Sequence, residues 1–125
     1  MTGAPWWTVG DKAYHREVTT VDAVRENLIR FGVEGIVVPV RADSRTVPLP
    51  TIRPVVALVD GDHAFDGAVA DLLYATSVCQ RYILVHDYET QQWPGVALAV
   101  KDVLSKGIAW QEANRAGCML LLGRK

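Results

Sequence analysis

An α/β fold with a mostly parallel sheet is predicted by three observations. Two short apolar runs, Val55 to Val59 and Tyr82 to Val85, each stop abruptly at polar residues. Runs of that length without polar alternation read as strands buried in a parallel sheet. A helix-period pattern follows each run, which gives the strand, helix, strand order of a parallel unit. The tail then reads as strand, turn and strand, Ile108 to Glu112 and Cys118 to Leu122 joined through Asn114 and Gly117, and closes the sheet with an antiparallel pair. The expected product is a three-layer sandwich of about five strands and three helices.

Composition sets the limits on function. The chain has 125 residues, half of them hydrophobic, enough for one domain over residues 1 to 125 with its own core. A net charge of −1 and a pI near 6.3 provide no basic field for a phosphate backbone, which argues against nucleic acid as a partner. Cys79 and Cys118 lie far apart with no close-spaced partner, so neither a metal knuckle nor a disulfide framework is indicated. No apolar run approaches the ~20 residues of a membrane span, and the N-terminus lacks a signal pattern. These features predict a soluble cytoplasmic protein without a membrane partner.

Residues 1 to 20, with Trp6, Trp7, Gly10, Asp11 and Tyr14, read as a loop whose aromatics suit a ligand, a core or an oligomer contact equally. His15 is isolated there and reads as a surface residue. Val21, Val24, Leu28 and Phe31 recur at helical spacing, with Thr19 or Thr20 as cap and Gly32 as stop. Ile36 to Val40 reads as a short buried strand ending at Arg41, Ala42, Asp43 and Ser44. Thr46 to Pro54 carries three prolines and is a connector. Arg41, Arg45 and Arg53 read as a solvated rim. Phe65, Val69, Leu72, Leu73 and Thr76 mark the face of a second helix, with Asp66 near its positive end. Pro94 opens a third helix lined by Val96, Val100, Val103 and Leu104, and Gly107 ends it.

The polar residues that stop the two central strands are the candidates for chemistry. Asp60, Asp62 and His63 follow the first, and His86, Asp87 and Tyr88 follow the second. Ligands of open α/β sheets bind where the carboxyl ends of strands meet the loops, so these side chains share one rim. Asp60 and Asp87, on adjacent strands, can approach a single divalent ion, and two carboxylates with water suit Mg²⁺. His63 or His86 can instead take a proton from a bound hydroxyl near neutral pH. The structural alternative is a strand-end network in which these groups satisfy backbone donors.

The segments V-D-G-D-H-A-F-D-G-A-V-A-D-L, I-L-V-H-D-Y and W-P-G-V-A-L-A-V resemble the later half of class I S-adenosylmethionine-dependent methyltransferases, in the branch that methylates small-molecule hydroxyls. The resemblance runs from about Trp6 to the C-terminus and is most specific between Val56 and Val100. It implies a truncated Rossmann-like fold, S-adenosylmethionine as cofactor and a small-molecule hydroxyl as acceptor. By resemblance Asp43, Ser44, Asp60 and Asp62 contact the cofactor, with Asp43 reaching the adenine amine; an Asx or Ser turn leading out of the strand is an equal alternative for Asp43. Asp60, His63, His86 and Asp87 are the catalytic set, and Asp60 and Asp87 hold the ion. Tyr88 departs from the pattern, since metal-dependent relatives carry an amide ligand there. The family's first strand, glycine-rich cofactor loop and second-strand acid have no counterpart in this sequence.

Two functions therefore stand side by side. One is a partial methyltransferase with impaired cofactor binding. The other is a non-catalytic scaffold that pairs with itself, because the strands of the missing half would otherwise cover exposed edges and faces. Both predict a homo-oligomer, with a dimer as its simplest form.

Overall fold

The computed structural model describes residues 21–125 together with the backbone of two short strands, β1 (Thr8–Val9) and β2 (Lys12–Ala13), paired antiparallel. Trp6, Trp7, Tyr14, His15 and the Thr19 or Thr20 cap lie outside the described residues. The chain divides into two compact units, Met1–Ala42 and Asp43–Lys125.

In the first unit, helix α1 (Val21–Arg30) carries Asp22 in its first turn and Arg30 in its last, both suited to the helix dipole. Gly32 adopts a left-handed φ of 69°, and the Val33 N–H bonds back to the Leu28 carbonyl, so the predicted stop is real. None of its residues is buried, and Phe31 is 73% exposed. The expected strand Ile36 to Val40 does not form. The N–H groups of Ile36 and Val37 bond to the Val33 carbonyl in a local turn, and Ile36, Val38 and Val40 are exposed. Pro39 within the run has no N–H for a ladder, a signal that outweighs the apolar character of its neighbours.

The second unit holds a four-stranded mixed sheet in the order β3-β4-β6-β5. Its members are β3 (Val56–Val59), β4 (Tyr82–Val85), β5 (Trp110–Ala116) and β6 (Met119–Arg124). Only β3 and β4 are parallel, paired Val56↔Tyr82 through Val59↔Val85. The other two pairings are antiparallel, so the sheet is mixed rather than mostly parallel, with four strands rather than five. The β5-β6 hairpin turns through Gly117 at φ 58° and carries a bulge between Glu112 and Asn114.

Helices α2 (Phe65–Val78) and α3 (Pro94–Leu104) pack against each other on one face of this sheet. The face that α2 buries is Gly67, Ala68, Leu72, Ala75 and Val78, whereas Phe65 and Leu73 from the expected face stay exposed. Small residues win that face because they let α2 approach Val96 and Ala99 of α3. The core joins Leu72, Ile83, Val85, Val100, Leu120 and Leu122, each almost wholly buried. Burial at such positions contributes about 1.5 to 3 kcal/mol per side chain. The guanidinium groups of Arg53 and Arg124 donate to the Val78 and Cys79 carbonyls at 3.0 and 2.9 Å, satisfying the C-terminal end of α2.

Side chains alternate across the sheet, and only one side of the strands is covered by α2 and α3. Val56 and Leu58 are 50% and 60% exposed, and Tyr82 also faces outward. The expectation that β3 is buried on both faces is corrected here: within this unit, helices occupy a single layer.

Candidate active site

At the end of β3 the chain passes Asp60 and turns through Gly61 toward α2. A Cβ on Gly61 would stand 2.6 Å from the Asp71 carboxylate, so glycine lets this loop run tight against the helix. Asp62 accepts the Ala64 N–H at 2.9 Å and lies against Gly67 in the first turn of α2, where a carboxylate complements the helix dipole. His63 is thereby held at the rim. At the end of β4, Asp87 takes a left-handed φ of 57° and turns its carboxylate onto His63.

His63 Nε2 and Asp87 Oδ2 are 2.7 Å apart, and Asp60 Oδ1 lies 3.7 Å from the same nitrogen. His86 Nδ1 stands 3.2 Å from Asp60 Oδ1 and 3.1 Å from Asp87 Oδ2. Neither carboxylate lies along its N–H direction, and this buried nitrogen has no hydrogen-bond partner. All four residues of the sequence-derived catalytic set therefore meet in one network. The indole of Trp93 caps His63, with ring centroids 4.6 Å apart and planes inclined at 36°.

Two other expected residues are placed apart from this network. Asp43 accepts the Arg45 N–H at 2.8 Å in a tight turn, the arrangement of a loop residue bonded to its own backbone. Ser44 donates to Asp71 Oδ1 at 2.6 Å. Ser44, Asp71 and Asp60 border a cleft of about 480 Å³ that runs along β3, walled by Val56, Leu58, Tyr74 and Val78.

Asp60, His63 and Asp87 each offer a ligating atom within 4.8 Å of the others. Two carboxylates and an imidazole are a donor set that fits a divalent ion. Tyr88, which stands where metal-dependent relatives carry an amide, turns into the core and is buried. Burial and the carboxylates of Glu112 and Glu89 push its hydroxyl above the ordinary phenol range, partly opposed by the Arg115 guanidinium 4.9 Å from its ring.

Sequence reasoning missed Trp93, Asp71 and Cys118 as neighbours of the site. Cys118 Sγ lies 3.9 Å from His86 Nε2 because β6 runs antiparallel to β4, which brings the turn before β6 back over the end of β4. A strand order with β6 beside β4 would have revealed it. Trp93 had a local signal, an aromatic directly before the helix-opening Pro94 in the loop that follows β4. A scan against protein-family models finds no match to this chain, and a search of curated proteins finds no relative.

Proposed function

We propose that Asp60, His63, His86 and Asp87 form the acceptor-activating side of a methyl-transfer site, in a chain similar to the later half of S-adenosylmethionine-dependent O-methyltransferases. The observation that carries this reading is the 2.7 Å contact between His63 Nε2 and Asp87 Oδ2 at the carboxyl ends of two parallel strands. A carboxylate bonded to one imidazole nitrogen fixes the tautomer and leaves the other nitrogen basic. Here Nε2–H donates to Asp87 and Nδ1 takes the proton of a hydroxyl acceptor. Trp93 stacked on the ring holds it in place and shields one face from water.

Asp60 and Asp87 would hold a Mg²⁺ ion, which lowers the pKa of a bound hydroxyl. Asp87 would then be shared between His63 and the ion. The donor side is different: among the described residues no glycine-rich cofactor loop follows a strand, and the Asp43 carboxylate is turned onto Arg45.

Ring-nitrogen NMR of His63 tests this reading, with catechol and glucose as hydroxyl probes. Wild type is expected to show the Nε2–H tautomer and to respond to a hydroxyl probe, and Asp87→Asn is expected to lose the tautomer preference. An Nδ1–H tautomer with no response to either probe would overturn it. A second reading, the self-associating scaffold, is favoured by one specific feature, the outward apolar face of Val56, Leu58 and Tyr82.

A further inference from the structure

We propose that His86, Asp87 and Cys118 form a binding site for a thiolate-preferring divalent ion of the Zn²⁺ class. The fold builds this site from two elements distant in sequence. Val85 pairs with Leu120, so Cys118 sits beside the residues that leave β4. The Tyr88 N–H donates to the Cys118 carbonyl at 2.8 Å and pins the turn there.

Cys118 Sγ faces His86 Nε2 at 3.9 Å, and His86, Asp87 and Cys118 each offer a donor atom within 4.8 Å of the others. A tetrahedral ion with Zn–S near ~2.3 Å and Zn–N near ~2.0 Å separates its sulfur and nitrogen ligands by about 3.5 Å. A small rotation of exposed Cys118 brings sulfur and nitrogen to that spacing, and a turn of the Asp87 carboxylate, whose Oδ2 stands 3.1 Å from the Nδ1 side of the same ring, completes the donor set. Sulfur, imidazole and carboxylate together select Zn²⁺ over Mg²⁺, whose preference is for oxygen alone. Three protein donors leave one position for water, the arrangement of an open site rather than a closed structural one.

A carboxylate also stands behind the histidine, on the far side of its ring from Cys118. With Nε2 on the ion, Nδ1 of His86 carries the proton and stands 3.2 Å from Asp60 Oδ1, and a rotation of the ring that aligns the N–H turns that contact into a hydrogen bond. A carboxylate behind a metal-bound histidine orients the ring and strengthens it as a ligand. The same nitrogen is buried and lacks a partner in the metal-free arrangement. Cys79 cannot substitute for Cys118, since its buried thiol bonds to the Val55 and Tyr82 carbonyls.

Titration of the reduced full chain with Co²⁺, followed by absorbance, tests the site without cofactor or acceptor and so independently of methyl transfer. One equivalent of Co²⁺ should produce a thiolate-to-metal charge-transfer band that stoichiometric Zn²⁺ abolishes and excess Mg²⁺ does not. Cys118→Ser should remove the band, and His63→Gln should retain it. Asp60→Asn should keep the band while weakening Zn²⁺ binding about ten- to a hundred-fold. Absence of the band in wild type, or its survival in Cys118→Ser with thermal melting unchanged, would overturn the proposal.

Discussion

Asp87 and Glu89 both hold left-handed backbone, φ 57° and 56°, on either side of buried Tyr88. Such a conformation costs a side-chain-bearing residue about 1 to 2 kcal/mol and is tolerated best by Asn and Asp. Asp87→Asn therefore removes the charge without adding backbone strain, and it is a cleaner probe than alanine. Tyr88 makes a separate prediction. Burial first, then Glu112 and Glu89, favour its neutral hydroxyl in the folded state. A group whose folded pKa is raised gives stability that is complete below the unfolded pKa and lost as pH rises through the folded one. Chemical denaturation should therefore show stability falling above about pH 10, where a free phenol ionises, and Tyr88→Phe should flatten that fall. An unchanged alkaline slope in Tyr88→Phe would remove Tyr88 as its source. At this scale the sequence was informative: all four rim residues stood out because two strands each stopped at a D and H cluster. Trp93 and Cys118 were not legible, because their place depends on a turn and on strand order.

Helix α3 is the element on which the site's geometry depends most. It begins at Pro94, whose missing N–H costs nothing in the first turn, and Gly95 follows. A Cβ at Gly95 would stand 2.8 Å from both the His63 carbonyl and the Phe65 N–H, so the first turn of α3 lies directly on the loop that carries His63. Gly95→Ala must push backbone apart. It should destabilise the protein by about 1 to 3 kcal/mol, the usual range for overpacking, and should displace Trp93 from His63. Equilibrium urea unfolding checks the first effect and Trp93 fluorescence quenching the second; a variant with wild-type stability would contradict this packing. The helices and the C-terminal hairpin were readable because capping residues and apolar period agree with the tertiary structure. The turn at Ile36 to Val40 was not legible because the apolar run masks the effect of Pro39. The buried stripe of α2 was legible only in part, because Phe65 and Leu73 stay exposed while Gly67, Ala68 and Ala75 join Leu72 and Val78 on the buried face.

At the largest scale the decisive feature, within the second unit, is a sheet covered on one side by α2 and α3, with Val56, Leu58 and Tyr82 on the other. The β3 strand pairs only with β4 among the described strands, so it is an edge. An apolar face beside an open edge favours association, and sedimentation should show a dimer that Leu58→Glu converts to a monomer; a wild-type monomer at high concentration would refute this. The mixed character of the sheet was not legible because a parallel pair and an antiparallel pair both begin from short apolar runs. Among the described residues no helix is long and apolar enough to cross a membrane. Beside the proposed acceptor side, Asp60, His63, His86 and Asp87, the described residues present no matching set of cofactor anchors. If each of two missing polar anchors removes about 1.5 to 3 kcal/mol, cofactor affinity falls by roughly two to four orders of magnitude. Titration calorimetry of the 125-residue chain with S-adenosylmethionine and S-adenosylhomocysteine tests that most directly. Millimolar or weaker binding is expected, and a low-micromolar dissociation constant would show that the cofactor anchors are in place.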